Sequence, residues 1–440
     1  MEDDPGRATG PSDRATEPDG TGTEPGGPVS RRRALAVGAA GAACLLAGGA
    51  ALLGRRSGDG GAPRAGSADA SGPFDPRAAE PLFANRARAV RDGDRAAFLA
   101  TTASAPAAFQ DAQARIYGNL RRLPLERWRE RVVAPKSVDA DKGVAVVEVE
   151  VRHRLRGFDR GDVVGTRYLA LTRRSGTWTI VGDGSPHGLR DDPAIWDGGD
   201  VTVATGRRSL VIGDAAGLKE IAARLDAAVP VVSGVVGTGW AGRVVALAPA
   251  DPAMAAALAG PGQNLRGIAA LATVTPSAAR ARGEDRIVIS PGTFGRLNAL
   301  GRDVVLTHEL THVATGGARD RTTPVWLIEG FADYVGYLRT RIDARTAAGE
   351  LCREVAAGRV PSALPSAEAF SGESARLSQA YQESWLACRM VATRYGEATL
   401  VRLYRTAGRV PEAVALREVL GLTRDRFIAL WRDYLVKELT

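Results

Sequence analysis

Hydrophobic and polar positions change their period along the chain, and each change predicts a different kind of element. The first 30 residues are rich in Gly, Pro, Asp, Glu and Thr and nearly lack large apolar side chains. They have too little to bury to offset the entropy of ordering and read as a disordered tail. Residues 34–54 then form 21 positions without a charge, between Arg31-Arg32-Arg33 and Arg55-Arg56. As a helix this run would span roughly 31 Å, about the thickness of a bilayer core. A Gly/Ala/Ser/Asp/Pro-rich linker follows to Pro76. From 78 to 116 apolar residues recur at helical spacing, broken at Asp92-Gly93-Asp94. The period then falls to two: Ala145, Val147, Val149, Val151 and Leu155 alternate with Val146, Glu148, Glu150, Arg152 and Arg154, which predicts a half-buried strand. Further strands are predicted over 166–172 and 177–181, and a polar hinge with Gly and Pro over 182–199. Beyond it come a hairpin (201–205 and 209–213), a helix (215–228), short strands at 243–247, 268–274 and 286–290, and helical spacing almost throughout from 301 to 440. Strands first and helices after predict an α+β fold.

The resulting organisation is a tail (1–33), an apolar segment (34–54), a linker (55–76) and two folded units (77–184 and 195–440). Helices followed by an antiparallel sheet in the first unit resemble the cone-shaped NTF2-like fold, which implies an α+β domain there. His153 falls on the apolar side of its strand, as a core or rim histidine or as part of a pocket lining.

Composition changes this picture little. Of the residues, 45% are hydrophobic and 25% charged, enough to build real cores. The formal charge is +8, with only four lysines among the cations. No Arg/Lys cluster interleaved with aromatics occurs, so no nucleic-acid partner is expected. The apolar segment has two readings. It is a single-pass anchor with a cytoplasmic N-terminus and its C-terminal domains outside, or, since Ser30-Arg31-Arg32-Arg33-Ala34-Leu35 resembles a twin-arginine motif, an export signal that is cleaved. Both put everything after residue 56 outside the cytoplasm of a bacterial cell. Cys44 lies in the apolar run. Cys352 and Cys388 are either two buried thiols or, in an exported protein, a disulfide.

The most informative segment is Val304-Val305-Leu306-Thr307-His308-Glu309-Leu310-Thr311-His312-Val313, which holds two of the chain's four histidines in an HExxH pattern. Positions i and i+4 share a helix face, so His308 and His312 can grip one ion, with Glu309 beside that face as a general base. Leu306, Leu310 and Val313 form the opposite stripe, which would bury the helix. A catalytic zinc site usually has three protein ligands. Glu329 lies 17 residues beyond His312, in Pro324-Val325-Trp326-Leu327-Ile328-Glu329-Gly330-Phe331-Ala332-Asp333-Tyr334, and completes a His2Glu set. Asp333, one turn on, can accept the free ring N–H of a ligating histidine. Tyr381 is a candidate donor to a developing oxyanion, with His187 and Tyr334 as lesser ones.

HELTH followed by WLIEGFADY resembles the gluzincins, the thermolysin-like and aminopeptidase-like clan, and is similar to the membrane-associated peptidase-MA-like proteins of GC-rich bacteria over roughly 201–440. The resemblance implies a zinc metallopeptidase domain with a small N-terminal sheet and a helical C-terminal part. It implies His308, His312 and Glu329 as Zn2+ ligands, Glu309 as base and Asp333 behind a histidine. It also implies an edge strand that pairs with extended peptide or protein substrate, for which 286–290 is the expected segment. The chain departs from the pattern in its short His312-to-Glu329 spacing and in lacking a GxMEN-type exopeptidase motif. The alternative function is a membrane-anchored envelope sensor or binding protein whose zinc domain is structural or weakly active.

Overall fold

The computed structural model describes residues 74–139, 143–174, 176–263, 265, 267–276, 283–371 and 374–440. The expected tail, apolar segment and nearly all of the linker lie outside the described residues. Among those described, no helix is long and apolar enough to cross a membrane.

Helices α1 (Pro76–Asp92), α2 (Arg95–Ala100) and α3 (Ala107–Arg122) come first. Asp75 caps α1 and Gly93 ends it in the left-handed region. Four strands follow: β1 (Leu125–Asp139), β2 (Val144–Leu155), β3 (Val163–Arg174) and β4 (Thr177–Asp183), in antiparallel order β1-β2-β3-β4. The hydrophobic pattern does not reveal β1. It is an edge strand that buries Trp128, Val132 and the Glu130 side chain, which pairs with Arg86 of α1, and leaves other charges at the surface, among them Arg131, 3.3 Å from Glu150 on β2. Charged side chains on an exposed edge resist pairing with other chains.

The second sheet contains β5 (Thr202–Thr205), β6 (Ser209–Gly213), β7 (Val244–Ala248), β8 (Ala270–Val274) and β9 (Asp285–Ile289), in the order β5-β6-β7-β9-β8. β6–β7 and β7–β9 are parallel, while the outer pairs are antiparallel. Helix α4 (Leu218–Val236) joins β6 to β7, and α5 (Pro252–Ala259) leads toward β8. The Ser209 hydroxyl donates to the Ala222 carbonyl of α4, which fixes the sheet face that α4 covers. One expectation is corrected here: the edges of this sheet are β5 and β8, and the segment around Arg286 forms β9, paired on both sides. Residues Arg286 to Ile289 are all buried, as a strand covered on both faces and both edges must be.

The remainder is helical: α6 (Pro291–Arg296), α7 (Ala299–Thr315), α8 (Val325–Tyr337), α9 (Ala344–Ala347), α10 (Gly349–Ala356), α11 (Leu377–Tyr395), α12 (Glu397–Ala407), α13 (Glu412–Leu420) and α14 (Arg424–Leu439). Two sheets with segregated helices make the chain α+β. The turn after β2 clamps the two sheets together. Asp159 pairs with Arg286 at 2.7 Å, both side chains almost wholly buried, and the Arg160 and Gly161 N–H groups donate to Glu284. The Val164 N–H donates to the Pro276 carbonyl just past β8.

Candidate metal centre

Asn298 caps α7 by accepting from the Gly301 N–H, and Gly316 ends the helix in the left-handed region. Every residue from Val304 to His312 is buried, so α7 is enclosed on all sides and not only along the Leu306/Leu310 stripe. It packs against α4, α8 and β8. α8 starts after Pro324, and almost all its residues are buried, Glu329 and Asp333 included. Two glycines set its depth. A Cβ on Gly336 would lie 3.1 Å from the Val304 carbonyl oxygen of α7, and one on Gly330 would lie 2.3 Å from the Ser384 carbonyl oxygen of α11. Without side chains at these points α8 is wedged between α7 and α11, which brings Glu329 to the two histidines.

The three candidate ligands converge. His312 Nε2 is 2.9 Å from His308 Nε2, Glu329 Oε2 is 3.2 Å from His308 Nε2, and it is 3.5 Å from His312 Nε2. Donor atoms about 2.0–2.2 Å from one tetrahedral ion stand roughly 3.3 Å apart, so the observed triangle has the right size for one. His308 Nδ1 lies 2.8 Å from Asp333 Oδ1. A carboxylate only accepts, so Nδ1 carries a proton, which leaves Nε2 as the ring atom facing His312 and Glu329. Two imidazole nitrogens and a carboxylate oxygen buried this close together are satisfied by a proton or by a metal cation shared among them. Glu329 Oε1, also buried, has no hydrogen-bond partner among the described residues. The residues fit a metal ion: His308, His312 and Glu329 form a buried group that could hold one.

The electrostatics follow from this crowding. Burial opposes a charge on His308, but Asp333 and then Glu329 outweigh it and raise the imidazole well above its usual value. Burial also works to raise Glu329, yet the His312 and His308 rings hold its carboxyl below the usual range. Burial pushes Glu309 and Asp333 up, against the pull of the imidazoles. Perturbed titratable groups gathered in one buried cluster make it a functional-site candidate.

Glu309 is on α7 next to His308, and its Oε2 accepts the Ala272 N–H at 2.7 Å. β8 thus reaches the centre through its backbone, which no side-chain pattern could reveal. Tyr381 is buried on α11, with its ring 6.1 Å from that of His308 and edge-on to Phe370 at 5.3 Å. Of the lesser donors, Tyr334 donates to Glu397 at 2.9 Å and His187 lies exposed in a short turn, neither of them in the cluster. Cys352 and Cys388 are free thiols, Cys352 pointing at the Leu439 carbonyl. His308, Glu309 and Glu329 are 0% exposed and His312 is 1% exposed. Comparison with protein-family models, curated proteins and solved structures finds no match for this chain.

Proposed function

We propose that the chain is an extracytoplasmic zinc-dependent peptidase of gluzincin type, with an NTF2-like domain ahead of the peptidase unit. The observation that carries this reading is the triangle of His308, His312 and Glu329 with Glu309 fixed beside it. Two imidazoles and one carboxylate suit zinc better than magnesium or calcium. Zinc, when bound, supplies a Lewis acid for the scissile carbonyl and lowers the pKa of water. Glu309 takes the proton of the attacking water and passes it to the leaving amine nitrogen. The Ala272 N–H holds Glu309 in position, and Asp333 fixes the tautomer and direction of His308 through Nδ1. The phenol of Tyr381 is assigned as donor to the developing oxyanion. The substrate is a peptide or protein, and residues 34–54 connect the domains to a bacterial membrane or export them.

One observation favours a second reading. Because the ligands and Glu309 are closed off from solvent, the zinc domain of a membrane-anchored sensor or binding protein, structural or weakly active, accounts for the burial without any movement. The two readings separate on one experiment: zinc content of the purified chain together with hydrolysis of an unbiased peptide library. Zinc and cleavage together support the peptidase. Full zinc with no cleavage favours the sensor, and no bound metal contradicts both.

A further inference from the structure

A cavity whose walls carry side chains from both sheets lies on the side of β8 away from the metal centre. Its volume is about 670 Å³, within the roughly 300–1,000 Å³ typical of pre-formed ligand pockets. Strand register shows how it relates to the site. Ile212 stands opposite Leu247, Leu247 opposite Val288, and Val288 opposite Leu271, so these four side chains share one sheet face. Ser209 and Val211 point to the other face, where the Ser209 hydroxyl meets α4 and α4 packs on α7. Ile212, Leu247 and Leu271 therefore face away from α7 and form one wall of the cavity; Leu123, Val151 and Leu155 of the first unit form the opposing wall. The cavity and the metal centre lie on opposite faces of one sheet and meet at its edge, where Ala272 both lines the cavity and bonds Glu309.

The walls are apolar in effect as well as in composition. Arg286 is committed to Asp159, Arg167 to Asp197 and Asp191, Arg319 to Asp285 at 2.5 Å, and Asp192 accepts the Thr166 N–H. Of the charged side chains in the lining, only Arg321, which is exposed, has no partner among the described residues. Burial, and then Arg286, push the His153 imidazole down to about 3, so it lies uncharged against Trp196, with ring centroids 4.9 Å apart.

The outward Ala272 N–H is bonded to Glu309 and the Pro276 carbonyl to the Val164 N–H, so an extended chain would pair with β8 between these points, with successive side chains leaving on opposite faces of the sheet. One set would leave on the sheet face that carries the metal centre. The other would enter this cavity. We infer that the junction cavity is a specificity subsite, formed jointly by the two units, that takes a large apolar side chain of an extended peptide paired with β8. For its occupant the inference rests on the peptidase reading. It also gives the first unit a role in recognition, since that unit supplies the opposing wall and the buried Asp159–Arg286 pair holds the wall in place.

The test measures binding separately from cleavage. The full chain carrying Glu309→Gln, which cannot consume a bound peptide, is applied to an array of end-blocked peptides of random sequence. Ala257 is exposed on α5 and lines the cavity, so Ala257→Trp fills it without disturbing a core. Gly165→Leu fills it from β3, where a Cβ would meet nothing closer than 3.9 Å. Ala257→Ser is the unfilled control. The expected result is that bound peptides share one large apolar position. Both filled variants should bind those peptides about tenfold or more weakly, the loss of one buried apolar side chain, while Ala257→Ser binds as the parent does. The inference is overturned if no peptide binds, if the bound set has no common apolar position, or if filling changes nothing. Cavity-dependent binding of peptides that the zinc-loaded wild type never cuts would leave the subsite standing and remove the peptidase reading. Cleavage by wild type and filled variants alike would do the reverse.

Discussion

Gly330→Ala tests whether the position of Glu329 depends on the close fit of α8 against α11. A Cβ there would lie 2.3 Å from the Ser384 carbonyl oxygen, 2.6 Å from its carbon and 3.0 Å from Cys388 Sγ. Two of the three obstacles are backbone, so no rotamer change relieves them. Ordinary contact lies about 1 Å further out, and parting two packed helices by about 1 Å forfeits a quarter to a half of their dispersion contact. Overpacking of this kind typically costs about 1–3 kcal/mol, and the helix-propensity gain of Ala over Gly returns at most about 1 kcal/mol. A net loss of about 2 kcal/mol is expected here, because the clash is with backbone. Gly234 on α4 is the matched control: it is exposed, and a Cβ there meets nothing within 4 Å, so Gly234→Ala should stabilise by about 0.5–1 kcal/mol. At roughly 2–4 °C per kcal/mol for a unit of this size, calorimetry should find shifts of opposite sign. The rise in melting temperature on adding zinc should shrink for Gly330→Ala alone, since Glu329 is its neighbour. A Gly330→Ala protein with unchanged melting and unchanged zinc response would refute the reasoning.

His308→Ala, His312→Ala and Glu329→Ala should each abolish stoichiometric zinc binding, and Asp333→Ala should weaken it about 10–100-fold; full zinc in Glu329→Ala, measured by elemental analysis, would show that the third ligand lies elsewhere. Glu383 is buried beside Arg376, and burial pushes its carboxyl up to about 7. The folded state therefore holds this proton where the unfolded chain has released it, so stability should fall by about 3 kcal/mol as pH rises from about 4.5 to 7. Glu383→Gln should remove that part of the pH dependence in denaturant titrations, and an identical profile would contradict the assignment. A reporter active only outside the cytoplasm, fused after Gly72, should be active in the bacterial host, and silence would refute export through residues 34–54.

What the sequence made legible divides by range. The sharing of one face by His308 and His312 is a property of a single helix turn, and Asp333 follows from Glu329 by the same local geometry. Strand limits were also local: the runs at 209–213 and 243–247 fall within a residue of β6 and β7. Long-range facts were not legible. Which of two short apolar strands is the edge depends on strand order, so β8 and β9 could not be told apart by pattern. β1 was hidden because an edge strand with one solvated face can carry Arg and Glu where an interior strand would carry Val. The Ala272 contact with Glu309 runs through backbone, which every residue has. Helix α4 extends past the expected end at 228 and passes through Pro230, because its Val-rich C-terminal half is buried against the core.

The central claim, that Glu309 is the base of a zinc peptidase, is tested most directly by Glu309→Gln in the full chain. The change keeps size and hydrogen-bonding reach, so zinc content and melting temperature should stay at wild-type values. Peptide hydrolysis should fall by about 10²–10⁴-fold, the loss typical of removing a general base. Equal cleavage by the zinc-loaded wild type and Glu309→Gln would contradict the account.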